Sequence, residues 1–186
     1  MPTDARTTAQ PVTGSTAGPD DPALRAAAAE LTPNEVEVLR LLAGALSDRE
    51  VADRLAMREV DVSANALSAV RRLGAPDRAT AILRAIHFEV ISADALPPAR
   101  AAGQYMTRRQ KDVLPLMAAG LIYPQISRRL GIAEATVRGH ARSALWCVGA
   151  STRHEGILLA ARTGLVTTAD AWPPLRQTSP AEGEPA

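Results

Sequence analysis

The alternation of apolar and polar positions predicts a series of short helices. Thr32 and Glu35 have the spacing of a capping box, in which each residue satisfies a free backbone group at a helix start. An apolar stripe at the spacing of one helix face follows them. Ser47 opens a second helix in the same way, Gly74 is placed to end a third, and Asp77 is placed to cap a fourth. The pattern therefore predicts one unit of four helices in the first half of the chain.

The second half repeats this pattern. Identical residues recur at an offset of 75 without a gap: Thr32 and Thr107, Leu39 and Leu114, Arg54 and Arg129, Val62 and Val137, Gly74 and Gly149, Leu83 and Leu158. A constant offset over this many positions predicts two copies of one unit. Pro115 falls inside the first helix of the second copy, and we expect it to kink or shorten that helix because proline has no backbone N–H.

Composition narrows the fold class. Aromatic residues make up only 3% of the chain, while Ala and Leu, both good helix formers, dominate its apolar residues. We therefore predict an all-α protein with two tandem four-helix domains and disordered termini. The predicted divisions are a Pro-, Gly- and Thr-rich tail at 1–24, a first domain at 25–92, a linker at 93–103, a second domain at 104–170 and a tail at 171–186.

Several classes of protein are not supported by the residues present. Cys147 is the single cysteine, so it cannot form an internal disulfide, and it is read as packing rather than as a redox sensor. His87 and His154 are isolated, and no cluster resembles a nucleophilic, carboxylate-pair or metal site. No apolar stretch has the length of a membrane span or signal peptide. We expect a non-enzymatic protein without cofactor or metal, located in the cytoplasm and associated with the nucleoid.

Residues 126–140 carry the motif with the clearest function. Two short predicted helices are joined there by a tight turn at Gly131, the layout of a DNA-binding helix-turn-helix. The surrounding sequence resembles the LuxR/FixJ-type domain, also called the GerE type. The matching segments are Leu31–Leu39, Ala45–Leu55 and Arg72–Gly74 in the first copy, and Thr136–His140 in the second.

The resemblance implies a four-helix domain whose third helix enters the major groove and whose fourth helix often pairs two domains on DNA. In the second copy it places Arg138 at a guanine edge or an adjacent phosphate, because Arg is the commonest reader of bases. The full set of expected DNA-binding residues is Thr136, Arg138, His140 and Arg142 on the third helix, Arg128 and Arg129 on the second, and Arg108 and Lys111 on the first. For Arg128 and Arg129 a solvated charged face is favoured over a contact with DNA, His140 could be structural, and Thr136 could serve only to start its helix.

The two copies differ in charge. Residues 31–90 hold eight Arg and nine acidic residues, whereas residues 105–166 hold nine basic and three acidic residues. Where the second copy has Thr136–His140, the first has Asp61–Asn65, with Glu59 before it. Acidic side chains at the front of a groove-reading helix oppose binding to DNA. The second copy itself departs from the family pattern at Ala133, which replaces a serine cap, and at Trp146 and Cys147, which replace a basic pair.

These features predict a transcriptional regulator that binds double-stranded DNA through its second copy, with the first copy as a pairing or docking module. The fourth helices could pair two chains or join a different protein. An alternative is a protein-interaction factor that modulates another regulator or RNA polymerase without reading DNA. A sigma-factor relative is disfavoured because the chain lacks an aromatic-rich promoter-melting region. No membrane partner is expected.

Overall fold

The computed structural model describes residues 18–99 and 105–173, and within these ranges all regular structure is helical. The α-helices are α1 (Pro22–Ala29), α2 (Pro33–Ala43), α3 (Asp48–Leu55), α4 (Glu59–Arg72), α5 (Arg78–His87), α6 (Arg108–Ala118), α7 (Tyr123–Leu130), α8 (Glu134–Cys147) and α9 (Arg153–Arg162). Two 3₁₀ turns, Ala93–Ala95 and Thr168–Ala171, follow α5 and α9. The prediction of an all-α protein is confirmed.

The backbone repeats with the period found in the sequence. Each bound of α6 to α9 lies 75 residues after the corresponding bound of α2 to α5. Within the described ranges, the residues with positive φ also form four pairs 75 residues apart: Ala45 and Gly120, Ala56 and Gly131, Gly74 and Gly149, Glu89 and Gly164. The turns between the helices therefore adopt the same left-handed conformations in both halves, even where one half uses alanine or glutamate in place of glycine.

The helix starts are built as the sequence predicts. At α2, the Glu35 amide donates to Thr32 Oγ1 at 3.3 Å, and the Thr32 amide donates to Glu35 Oε2 at 2.7 Å. Thr107 and Gln110 make the same reciprocal pair at α6, at 3.3 and 2.8 Å. Pro115 lies inside α6 without shortening it, since α6 has 11 residues, as many as α2.

Helix α1 begins at Pro22, inside the segment predicted to be a disordered tail. Asp21 caps it by accepting a hydrogen bond from the Ala23 amide at 2.9 Å. Ala28 is buried, and α1 contacts α4. The tail prediction was wrong for residues 22–24, and its residues 1–17 lie outside the described ranges.

The two halves pack against each other through their fourth helices. Helix α5 contacts α9, and residues 79–85 and 156–160 of these helices are buried. Thr80 adds a buried hydrogen bond between the halves, because its hydroxyl donates to the Ala118 carbonyl at 2.9 Å. The sequence left open whether the fourth helices pair with another chain. In the structure, the buried faces of α5 and α9 pack against each other within one chain.

The end of the second half is anchored on the first. Arg84 is buried and donates to the carbonyls of Leu73, Gly74 and Ala171 at 2.6 to 3.1 Å. Its guanidinium carbon lies 4.8 Å from the centre of the Trp172 ring, and Trp172 is itself buried. Burial lowers the pKa of Arg84 to about 10. The predicted tail at 171–186 was therefore wrong for Ala171 and Trp172, while residues 174–186 lie outside the described ranges.

The predicted linker at 93–103 is structured at its start. Ala93–Ala95 form a 3₁₀ turn, and Leu96 and Pro97 are buried. Residues 100–104 lie outside the described ranges. Among the helices that are described, none combines the length and apolar character needed to cross a bilayer.

Candidate nucleic-acid interface

Helices α7 and α8 form two arms joined by a three-residue turn. Gly131 ends α7 with φ +64°, a left-handed conformation that glycine adopts without strain. The Ser127 hydroxyl donates to the Ile132 carbonyl at 2.7 Å and ties α7 to the turn. Ile126 on α7 and Val137 on α8 are both fully buried. The angle between the arms is thus set by a shared core and by a turn that is hydrogen-bonded to one of them.

One side of α8 packs inward, so the residues that face outward are defined by helical spacing. Val137, Ala141 and Ala144 are fully buried. The opposite line, at intervals of four, three and four residues, is exposed along its whole length and consists of Ala135, Gly139, Arg142 and Trp146. We call these four residues the outward line of α8. Arg138 lies to one side of the outward line, and Thr136 and His140 lie to the other.

Arg138 is held by two contacts. Its Nη2 lies 2.7 Å from Glu134 Oε1, one turn earlier on α8, and the two side chains are 58% and 41% exposed. Its guanidinium carbon lies 5.6 Å from the centre of the Tyr123 ring, at the start of α7. An exposed ion pair of this kind contributes roughly 0–1 kcal/mol. A phosphate or base edge can therefore replace Glu134 as the partner of Arg138 at little cost.

The other predicted contact residues are distributed over α6 and α7. Arg128 and Arg129 are exposed at the end of α7, and Arg128 Nε donates to the Pro124 carbonyl at 3.2 Å. Arg108 and Lys111 are exposed in the first turn of α6, which packs against α8. No hydrogen bond or ion pair among the described residues joins these α6 cations to those of α8. The structure brings the six residues of α7 and α8 onto one helix pair and leaves Arg108 and Lys111 on a neighbouring helix.

The first half fills the equivalent positions differently. The residue 75 positions before Arg138 is Ser63, whose hydroxyl donates to Asp48, the counterpart of Tyr123, at 2.6 Å. Arg78 also binds Asp48, with Nη2 to Oδ2 at 3.0 Å. The hydrogen bond from Arg78 is the largest effect that keeps the pKa of Asp48 below its usual value, and burial partly opposes it. At this point the first half therefore has an internal ion pair where the second half has an exposed cation.

The front of α4 is also acidic. Arg58 donates to both carboxylate oxygens of Asp61, each at 2.7 Å, and this lowers the pKa of Asp61. The line of α4 that corresponds to the outward line of α8 consists of exposed Val60, Ala64, Leu67 and, in the last turn, Arg71. Val60 is 64% exposed and Leu67 is 49% exposed. The acidic and apolar part of this surface, from the front of α4 to Leu67, is poorly matched to phosphates.

The sequence did not assign Trp146 or Tyr123 to the site. Trp146 is 80% exposed, and its four-residue spacing from Arg142 was a signal that could have placed it on the outward line. Tyr123 had no such signal, because its contact with Arg138 depends on how α7 packs against α8.

The geometry of α7, its glycine turn and the cationic exposed face of α8 is that of a helix-turn-helix DNA-binding module. Residues 104–160 match the model of the bacterial regulatory proteins of the luxR family, GerE. These residues thus form one LuxR-type domain, a class that implies a DNA-binding regulator of transcription. The matched range does not include the first half of the chain. No curated protein and no solved structure matches the chain.

Proposed function

We propose that the chain regulates transcription by binding duplex DNA through α8, while its first half acts as a pairing or docking unit. The observation that carries this proposal is the difference between α4 and α8, which are the third helices of the two repeated units and have bounds that correspond at the offset of 75. Helix α8 presents Arg138 and Arg142, whereas the corresponding positions of α4 are Ser63 and Leu67. Because DNA is a dense line of negative charge, the front and middle of α8 are better suited to the groove than those of α4, whose arginines, Arg71 and Arg72, lie in its last turn.

The repeated helix bounds and the shared left-handed turns support treating residues 31–90 as a diverged copy of the matched domain. The packing of α5 on α9 then resembles the pairing of two LuxR-type domains through their fourth helices, formed within one chain. In this arrangement the first half contributes to the placement of the second on DNA without itself reading bases.

The DNA-binding residues are assigned by their position on the helix pair. Arg138 and Arg142 contact base edges or the nearest phosphates, and Thr136 and His140 lie on the opposite side of the outward line from Arg138. Arg128 and Arg129 contact the phosphate backbone from α7. Arg108 and Lys111 add positive charge from α6 and act at longer range.

Salt-dependent binding of the full chain tests the assignment to the second half. A fluorescein-labelled duplex of mixed sequence is titrated and followed by anisotropy from 25 to 200 mM NaCl. Arg129→Ala should weaken binding and reduce the slope of log affinity against log salt by about 0.9, the value for one lost phosphate contact. Arg54→Ala, at the exposed counterpart position on α3, should change neither quantity. Absence of binding at the lowest salt concentration would overturn the proposal.

Selection of preferred sequences from a random duplex pool tests the role of Arg138. Arg138→Ala should weaken binding to the selected sequence by about 1–3 kcal/mol and bring it close to binding of unselected duplex. Equal losses on selected and unselected duplex would assign Arg138 to phosphate alone.

A second function is favoured by the apolar surface of α4. Val60 and Leu67 are exposed seven residues apart, with Ala64 between them, and this is the spacing of a helix face that docks onto a protein. In that case the chain would modulate RNA polymerase or another regulator. The double variant Val60→Ala with Leu67→Arg introduces the residues found at the counterpart positions 135 and 142, so we expect it to fold. Purified RNA polymerase that binds the parent chain without DNA, and not this variant, would support this function over the first.

A further inference from the structure

Trp146 is an exposed aromatic residue in a chain that has few aromatic residues. It is 80% exposed, whereas Trp172, the other tryptophan, is 4% exposed. Trp146 lies on the outward line of α8, one turn after Arg142. An indole in this position contributes nothing to the core, so its effect is on whatever approaches the outward line.

The length of α8 places Trp146 relative to bound DNA. Ala135 and Trp146 are separated by 11 residues, which corresponds to roughly 16 Å along a helix axis. The major groove is only about 12 Å wide, and a recognition helix contacts bases mainly through its N-terminal residues. With the start of α8 in the groove, Trp146 lies at the groove edge, against the sugars and phosphates.

The electrostatics at this end of α8 favour an uncharged donor. The last turn of α8 contains no basic residue, whereas the last turn of α4 contains Arg71 and Arg72. The carbonyl end of a helix also carries a partial negative charge, which does not attract phosphates. The indole Nε1–H of a tryptophan is a donor without charge, and its ring offers a flat apolar face to a sugar.

We propose that Trp146 is a DNA-contacting residue that packs on a deoxyribose and donates its Nε1–H to a phosphate of the duplex bound by α8. This inference rests on the proposed function, because it takes duplex DNA as the ligand. It adds a contact that increases affinity without releasing a counterion. At the position where α4 has Arg71, Trp146 thus supplies a contact with phosphate whose strength depends little on salt.

Salt titrations distinguish this contact from a charged one. Trp146→Ala should weaken binding to the mixed-sequence duplex about 5- to 10-fold, the loss expected for one hydrogen bond with its apolar contact, and leave the salt slope unchanged. Trp146→Arg introduces the residue found at the counterpart position 71, and it should restore affinity at low salt and steepen the slope by about 0.9. Unchanged affinity in Trp146→Ala would overturn the proposal.

Fluorescence quenching provides a readout that requires no loss-of-contact variant. Addition of saturating duplex should lower the acrylamide quenching constant of the parent chain at least twofold. The Trp146→Phe chain, which reports only on Trp172, should show no change. Duplex binding without protection of Trp146 would overturn this assignment alone and leave the proposed function in place. Failure of the chain to bind duplex at any salt concentration would overturn both this assignment and the proposed function. If such a chain bound purified RNA polymerase instead, and the polymerase protected Trp146 from quenching without DNA, both would likewise be overturned.

Discussion

Gly120 lies so close to Pro76 that a β-carbon added to Gly120 would be 1.9 Å from Pro76 Cγ. Gly120 belongs to the turn after α6 and Pro76 to the turn before α5, so this contact joins the two halves of the chain. The proline ring is rigid and cannot move aside easily. Gly120 also has φ +81°, a conformation that disfavours any residue with a β-carbon.

Gly120→Ala should therefore lower the free energy of unfolding by about 2–4 kcal/mol, the sum of backbone strain and overpacking. Urea unfolding of the full chain, followed by circular dichroism, measures this loss. Gly131→Ala is the matched control, because Gly131 has φ +64° but no atom within 4 Å of an added β-carbon. The control should lose only the strain, about 1 kcal/mol. Equal losses in the two variants would mean that the close approach of Gly120 to Pro76 does not affect the free energy of unfolding.

Glu134→Gln should strengthen binding to duplex DNA. Glu134 holds Arg138 and adds a negative charge at the front of α8, so its neutralisation frees the arginine and removes repulsion from phosphates. We expect a two- to fivefold increase in affinity at 100 mM salt, measured by anisotropy, which corresponds to about 0.5–1 kcal/mol. Glu59→Gln, the counterpart on α4, should have no effect. An equal gain from Glu59→Gln would instead place α4 against the DNA.

Arg84→Leu should be strongly destabilising. The substitution introduces the residue found 75 positions later, Leu159, but leaves the buried carbonyls of Leu73 and Ala171 and the partly buried carbonyl of Gly74 without the donor that Arg84 supplies. We expect a loss of about 2–4 kcal/mol in urea unfolding and a red shift of Trp172 emission as its ring loses this cover. Arg40→Leu removes an exposed arginine paired with Glu37 and should cost less than about 1 kcal/mol. A small effect of Arg84→Leu, comparable to the control, would contradict a structural role for this buried cation.

Stability should fall as the pH decreases from 7.5 to 5.5, because of His154. Burial lowers the pKa of His154 in the folded chain. A hydrogen bond to the Leu42 backbone and the charges of Asp77 and Asp48 oppose this effect, and the charge of Arg78 reinforces it. The unfolded chain, with a histidine pKa of about 6.5, then takes up a proton before the folded chain does. The folded state thus loses stability as the pH falls through 6.5, by at most about 1.4 kcal/mol per pH unit, until the lower folded pKa is passed.

His154→Ala should flatten this part of the pH profile. The counterpart residue is Ala79, which is buried in an equivalent position on α5, so the substitution is compatible with the fold. Urea unfolding at pH 7.5, 6.5 and 5.5 compares the two chains. An unchanged slope in the variant would assign the pH dependence to another group.

Much of the fold could be predicted because its signals are local. Thr32 with Glu35 and Thr107 with Gln110 define helix starts through neighbours three residues away, and the offset of 75 carries each bound from one half to the other. Helix α1 was not predicted because its alanine-rich sequence has no apolar stripe to distinguish its two faces. Alanine favours the helix, but only the contact with α4 shows which side is buried.

The parts of the site that escaped prediction depend on contacts between distant segments. Arg138 was found from its place in the motif, but its partner Tyr123 belongs to a different helix. The anchoring of Trp172 joins residues 87 positions apart at Arg84 and Ala171, and a Pro-rich sequence after Trp172 concealed it. Spacing along one helix can be read from sequence, whereas the approach of two helices requires the structure.

The packing of α5 on α9 has a consequence for how a regulator built this way responds to its own abundance. A regulator that dimerises must meet its partner before it occupies a promoter, so occupancy rises steeply with concentration. If the first half is the pairing unit proposed above, two units joined in one polypeptide omit that step, and occupancy follows a simple hyperbola. The covalent connection also lets the sequence of one unit diverge from that of the other. In a homodimer, by contrast, every substitution appears in both subunits.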